Sequence, residues 1–252
     1  MASQARGLRF LIAVVVFSAA AAVTGARHGA AGQCGPVGAI VSEELYSSLF
    51  LHKDAPACPA KGFYTYASFI RATRKFPKFG ATGDLVTRKR EGLCYKEEIS
   101  PQSNYCDATD KQWPCYPGKS YHGRGPIQIS WNFNYGPAGK ALGFDGLRNP
   151  ELVANCSDTA FQTALWFWMT PRETKPSCHQ VMVGEYCPSR ADAAANRTAG
   201  FGLVTNIVNG GLECNIADDA RVNNRIGFYR RYCQVLGVDV GPNLDCAHQL
   251  PY

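Results

Sequence analysis

The chain has 252 residues, 46% hydrophobic, 12% aromatic and 18% charged, with 25 Gly, 15 Pro and 11 Cys. That apolar share excludes a disordered chain, and glycine without a three-residue period excludes collagen. The formal charge of +6 comes without a long Lys/Arg block, so no nucleic-acid partner is expected, and the length suits one domain with a real core.

Residues 1–26 read as a secretory signal peptide. Arg6 and Arg9 precede an apolar run from Phe10 to Val23 that only Ser18 interrupts. The run falls short of the roughly 20 residues a spanning helix needs. Thr24-Gly25-Ala26 then suits a small-residue cleavage site. Cleavage would leave 252 − 26 = 226 residues and remove two arginines and no acid, so the charge falls to +4. The product is expected to be secreted (extracellular or vacuolar), off the membrane and monomeric. Residues 27–40, rich in Gly and Ala, read as a flexible lead-in to a single domain over 41–252.

Helical patterns follow in order. Val41, Leu45 and Leu49 recur at helical spacing, and Ser42 with Glu43 and Glu44 suits a helix start. Thr65 caps a segment with Phe69, Ile70, Thr73 and Phe76 on one face, stopped by Pro77. Ser157 and Asp158 open a helix with Phe161, Ala164, Leu165, Trp168 and Met169 inward, ended near Pro171. Asp218-Asp219 suits a helix N-terminus, where the dipole favours anions, and Val222, Ile226, Tyr229 and Cys233 form one stripe beyond it. Strand patterns are few and short, so the chain is expected to be mainly α, loop-rich and stapled by disulfides.

All eleven cysteines lie beyond the signal: Cys34, Cys58, Cys94, Cys106, Cys115, Cys156, Cys178, Cys187, Cys214, Cys233 and Cys246. In an oxidising compartment such a set reads as a disulfide framework, with at least one thiol left over. Zinc is not expected: no C-x-x-C pair occurs, and His52, His122, His179 and His248 keep no ligand spacing to the cysteines. Two glycosylation acceptors, Asn155-Cys156-Ser157 and Asn196-Arg197-Thr198, agree weakly with export.

The densest chemistry lies between Trp113 and Gly136, where Tyr121-His122-Gly123-Arg124-Gly125-Pro126-Ile127-Gln128-Ile129-Ser130 runs into Trp131-Asn132-Phe133-Asn134-Tyr135-Gly136. Sugar grooves need aromatic faces and amides of this kind. A glycine-rich structural loop with buried aromatics reads equally well. A dinucleotide loop does not fit, because Gln128 stands where the third glycine belongs. Carboxylates nearby are Glu97, Glu98 and Glu213. Glycoside hydrolysis uses two carboxylates across the scissile bond, although glutamate pairs also sit on solvated helix faces. Arg225 beside Glu213 would hold a working carboxylate ionised, or be an ordinary surface cation. No G-x-S-x-G elbow supports a serine nucleophile, and the cysteines look paired rather than nucleophilic.

Together these motifs resemble the plant-type family 19 chitinases, from about Val41 to Cys246. The likeness rests on Lys61-Gly62-Phe63-Tyr64-Thr65-Tyr66, Phe76-Pro77-Lys78-Phe79-Gly80, the Gly123–Gly136 stretch, Ala164 to Pro171, Thr205 to Cys214 and Arg225 to Cys233. The small cysteine-rich chitin-binding module is absent. The resemblance implies a helical, lysozyme-like two-lobed domain, no cofactor, and inverting endo-hydrolysis of β-1,4-linked N-acetylglucosamine in chitin, with defence against fungi as its biology. It makes Glu98 the general base and Ser130 the residue that helps hold the attacking water. Trp113, Gln128, Asn134, Lys175 and Asn209 match sugar contacts, and Glu213 and Arg225 a supporting charge network. Phe133 replaces the family's tyrosine. It further implies the disulfides Cys58–Cys94, Cys106–Cys115 and Cys214–Cys246, a buried unpaired Cys233, and a possible pairing of Cys178 with Cys187.

One departure matters for chemistry. In the family the segment after Arg88-Lys89-Arg90-Glu91 continues as a long helix ending in the general-acid glutamate. Here Glu91 runs at once into Gly92-Leu93-Cys94. General acid catalysis is worth roughly 100- to 10,000-fold, so this chain is expected to cut poorly. The alternative reading is a lectin-like relative that binds chitin or chito-oligosaccharides without cutting. Glu97 is a poor substitute acid, because it shares one place on the backbone with Glu98, and the carboxyls of an inverting pair stand about 6.5–9.5 Å apart.

Overall fold

The computed structural model of the chain describes residues 36–50, 52–79 and 93–252. The expected signal peptide, most of the lead-in, Cys34 and the Arg88–Glu91 run lie outside these residues. Ten helices stand in the described part: α1 Pro36–Ile40, α2 Glu43–Leu49, α3 Tyr66–Thr73, α4 Asn132–Leu142, α5 Leu152–Asn155, α6 Ser157–Met169, α7 Cys178–Met182, α8 Arg190–Ala194, α9 Phe201–Glu213 and α10 Ala220–Leu236. Extended pairing among the described residues is confined to isolated bridges. The fold is therefore helical, as the sequence patterns lead one to expect.

The caps act where the sequence placed them. Ser42 accepts from Leu45 N at the start of α2, and Thr65 accepts from Ser68 N at the start of α3. Asp219 accepts from the backbone N–H groups of Arg221 and Val222 at the head of α10, and its hydrogen bond with the Arg221 side chain pulls its carboxyl down to about 2. Gly237, left-handed at φ 62°, ends that helix. Two details differ from the sequence patterns. The α2 stripe buries Tyr46 and Leu49 and leaves Leu45 half-buried. Helix α3 stops at Thr73, short of Pro77, because the chain tightens into three-residue turns, Lys75 N to Ala72 O and Phe76 N to Thr73 O. A proline disfavours the helical region for the residue before it, which agrees with a stop ahead of Pro77.

The described residues form two compact units, 42–76 with 93–167 and 36–41 with 77–79 and 168–252. In the first, the core is aromatic. Tyr46 stacks on Phe69 at 5.6 Å between centroids, while Tyr64 and Phe69 each meet the Phe161 ring edge-on. The Tyr46 hydroxyl donates to Tyr64 O at 3.0 Å, so a buried polar atom is satisfied. Phe161, Ala164 and Leu165 of α6 are buried, together with Thr163, Trp166 and Phe167, and so is Trp168, the α6 residue at which the second unit resumes. A helix enclosed on nearly every side needs this near-continuous apolar sequence. Cys58–Cys94 and Cys106–Cys115 are bridged in this unit.

In the second unit α9 packs against α7 and α10. Phe201 and Tyr229 lie face to face at 4.1 Å, and the Cys214–Cys246 bridge packs with Val222 and Ile226. Asn206, fully buried on α9, donates to Leu250 O at 3.1 Å and accepts from Tyr252 N at 3.2 Å, which ties the last described residues to the helix. Cys178 and Cys187 are not joined: both are free thiols, the first buried and the second exposed. Cys178 lies inside the capped turn of α7 while Cys187 faces solvent beyond it, so the suggested pairing does not form. Cys233 is the buried free thiol that the resemblance implies, and burial pushes it up to about 11.

Candidate active site

In the first unit, Lys96–Glu98 pairs antiparallel with Gly123–Gly125. Glu98 N donates to Gly123 O and Gly125 N to Lys96 O, both at 2.7 Å, with Glu97 bridged to Arg124 between them. Successive side chains of extended backbone point to opposite faces. Glu97 therefore shares its face with Arg124 and His122. Its Oε2 lies 3.4 Å from Arg124 Nε and 3.3 Å from His122 Nε2. Arg124 is itself buried and donates to Ser120 O and to the Tyr135 hydroxyl. Burial, then the nearby Arg124 cation, lowers the His122 pKa. Glu97 thus sits in a structural ion cluster, turned away from Glu98.

Glu98 is half-buried, and both its oxygens are held. The Tyr105 hydroxyl donates to Oε1 at 2.8 Å and Gly123 N–H donates to Oε2 at 3.2 Å. Burial and the carboxylate together push Tyr105 up to about 12, so it remains a donor across the working pH range. Tyr105 is a site residue that the motifs did not single out. The available signal was its position directly before Cys106, which is bridged to Cys115.

The loop ahead of α4 carries the next group. The Ser130 hydroxyl donates to Gln128 O at 3.0 Å, the Gln128 amide to Gly125 O at 2.9 Å and the Asn134 amide to Ser130 O at 2.9 Å. Tyr105, Gln128 and Trp131 have φ of 52°, 54° and 75°. Non-glycine residues in this region cost on the order of 1–3 kcal/mol each and persist where the surroundings over-determine them. Of the three, Tyr105 contacts Glu98 directly and Trp131 contacts Tyr105. Trp131 contacts the Tyr105 ring edge-on at 5.4 Å and stacks on Phe133 at 5.7 Å.

Trp113 is placed by buried Asn132, the first residue of α4. The Asn132 amide donates to Trp113 O at 2.7 Å and to Asp107 O at 3.0 Å, while its Oδ1 accepts from Asp107 N. The indole lies flat on α4 at Gly136, where a Cβ would come within 2.3 Å of the ring. Only glycine allows that approach.

The second unit holds the other candidates. Asn209 breaks the helical geometry of α9 at φ −153°, ψ 33°, and its amide donates to Glu213 Oε1 at 2.5 Å. Glu213 receives a bidentate grip from Arg225, Nε to Oε2 at 2.5 Å and Nη2 to Oε1 at 2.7 Å, with side chains only 2% and 3% exposed. Lys175 pairs through its backbone with Arg172 and holds its ammonium 5.6 Å from the centre of the Tyr252 ring. Burial, then Arg172, lowers the Lys175 pKa. The sequence-predicted residues thus fall into two groups: Glu98, Trp113, Gln128, Ser130 and Asn134 in one unit, Lys175, Asn209, Glu213 and Arg225 in the other. Among the described residues no group of three or more His, Cys, Asp or Glu is placed to hold a metal ion, and no helix is long and apolar enough to cross a membrane.

The chain belongs to the class I chitinases, glycoside hydrolase family 19, whose family model matches residues 40–92 and 91–246. It is 76% identical over 243 residues to Chitinase 10 of Oryza sativa subsp. japonica, covering 86% of this chain and 84% of that one. It is 48% identical over 252 residues to Inactive chitinase-like protein 1 of Hevea brasiliensis, covering 89% and 80%. The crystal structure of chitinase C from Streptomyces griseus matches with TM-score 0.62 at 33% identity, covering 88% of this chain and 84% of that chain. In the rice comparison, 86% of 252 residues is about 217, against 243 aligned positions, so about 26 positions have no residue in this chain.

Proposed function

We propose that this chain is a secreted protein directed at β-1,4-linked N-acetylglucosamine polymers, carrying the water-activating half of an inverting endochitinase. Glu98 takes the proton from water, Ser130 helps hold that water, and Trp113, Gln128, Asn134, Lys175 and Asn209 contact sugar. Glu213 and Arg225 keep Asn209 in place. The observation that carries the reading is the clamp on Glu98: each oxygen accepts one hydrogen bond, from Tyr105 and from Gly123, so the carboxylate is held in one orientation. Its biology would be chitin catabolism and defence against fungi. Export is supported by the N-terminal apolar run and by three disulfides.

A second reading, binding without cutting, is favoured by one observation. The family match breaks at residues 91–92, where the sequence runs from Glu91 straight to Cys94, and the rice relative has about 26 positions with no counterpart here. Glu97 is poorly placed as the acid, since it faces Arg124 and His122. Loss of a general acid slows an inverting reaction by about 100- to 10,000-fold while leaving ground-state binding in place.

The two readings separate with chitohexaose, following binding by calorimetry and products by chromatography. Slow turnover abolished by Glu98→Gln, with affinity within about threefold of the parent, supports the enzyme and removes the lectin. Binding without products removes the enzyme. Neither binding nor products removes both.

A further inference from the structure

The first unit turns a set of rings outward beside Glu98. Trp131 is 38% exposed and Phe133 42%, and Ile99, the residue after Glu98, is also exposed. Trp166 and Trp168 are buried and Trp113 is half-buried, so Trp131 is the tryptophan most open to solvent. An exposed indole needs an explanation when its backbone is also held at φ 75°, a conformation that a bulky residue normally avoids. Its neighbours hold it there. Phe133 lies nearly parallel at 11° and 5.7 Å. Tyr105 abuts it at 75° and 5.4 Å, and the Tyr105 hydroxyl ends on Glu98 Oε1. Trp131 N–H of the backbone donates to Tyr121 O at 2.8 Å, fixing the root of the side chain. The open indole is thus linked through one ring to the carboxylate.

A β-linked pyranose presents axial C–H groups on its faces. They are complementary to an aromatic face, and pre-ordering that face lowers the cost of binding. We propose that Trp131, seated on Phe133 and braced by Tyr105, is the stacking face for one N-acetylglucosamine ring beside Glu98; this rests on the chitin-directed reading above. Tyr105 then serves twice, orienting the carboxylate through its hydroxyl and the indole through its ring edge.

The test titrates chitohexaose into the mature parent, Trp131→Phe, Trp131→Leu and Trp131→Ala, by calorimetry and by indole fluorescence. Thermal melts report whether each variant is folded. The parent is expected to bind with a change in tryptophan emission. Trp131→Ala and Trp131→Leu are expected to bind about tenfold more weakly, and Trp131→Phe to stay within about threefold with a smaller emission change, the remainder coming from Trp113. Parental affinity in folded Trp131→Ala overturns the inference and leaves the chitin-directed reading standing. If Trp131→Ala does not fold, parental affinity in folded Trp131→Leu, which removes the ring and keeps apolar volume, overturns it instead. A parent that binds no hexamer overturns the reading and the inference with it.

Discussion

Arg225→Met would leave Glu213 as a buried carboxylate without the guanidinium that grips it. Its side chain is 2% exposed, and its other hydrogen bond comes from the Asn209 amide at 2.5 Å. Breaking a buried pair by removing one partner costs about 3–5 kcal/mol, because the remaining charge keeps its desolvation penalty. For a chain of this size 1 kcal/mol moves the melting temperature by roughly 2–4 °C, so the variant should melt about 6–20 °C below the parent. The pair itself is not the source of stability, since two apolar residues of similar volume often substitute without loss. Adding Glu213→Leu to Arg225→Met should therefore restore most of the lost stability. Loss of Glu213 in that double variant also removes the carboxylate that the Asn209 amide donates to at the α9 kink, so chito-oligosaccharide affinity should stay low while stability returns. The assay is thermal and urea unfolding with the disulfides intact, plus calorimetry with chitohexaose. An Arg225→Met variant within about 1 kcal/mol of the parent, or a double variant no more stable than the single, would refute the reasoning.

Two further outcomes follow from close packing and from a buried histidine. Gly136→Ala should destabilise although alanine is the better helix former, since its Cβ would meet the Trp113 ring at 2.3 Å. Overpacking of this kind costs about 1–3 kcal/mol, and parental stability with an unchanged Trp113 environment in the fluorescence spectrum would show that the ring gives way freely. His179 is buried at the head of α7, and desolvation lowers its pKa despite Glu185, which raises it, while Lys78 lowers it further. The folded state therefore takes up this proton less readily than the unfolded chain. Its contribution to stability is complete above about pH 6.5 and is lost as pH falls through the depressed value. The stability gap between the parent and His179→Gln should be constant near neutrality and shrink in acid; a gap independent of pH would contradict this.

Much of the architecture is legible in local sequence because local physics makes it. Ser42, Thr65 and Asp219 begin helices where a side-chain oxygen can satisfy orphan N–H groups, and the apolar run of α6 marks a helix enclosed on nearly every side. Helices α4 and α9 are different. Their Gly136-Pro137 and Gly210-Gly211 pairs read locally as loop. They are helical because neighbours demand small residues there: Trp113 covers Gly136, and a Cβ at Gly210 would meet the Asn206 amide at 2.2 Å.

The candidate site divides in the same way. Glu98, Ser130, Gln128, Asn134, Glu213 and Arg225 could be named from motifs, since the residue types and their order along the chain carry that information. Composition and spacing also delivered the helical class and the oxidised cysteine framework, while the family came from the resemblance that the long motifs carry. Three-dimensional structure alone decided that Glu97 and Glu98 face opposite ways, that Tyr105 grips Glu98, that Cys178 and Cys187 stay apart and that the Trp131 indole is held open. Each of these depends on which distant backbone lies alongside: the bridge of Glu97 to Arg124 sets the pleat, and Tyr105, seven residues on, meets the carboxylate of Glu98. Periodicity and caps report a residue's own turn of chain, whereas facing and contact are set by partners tens of residues away.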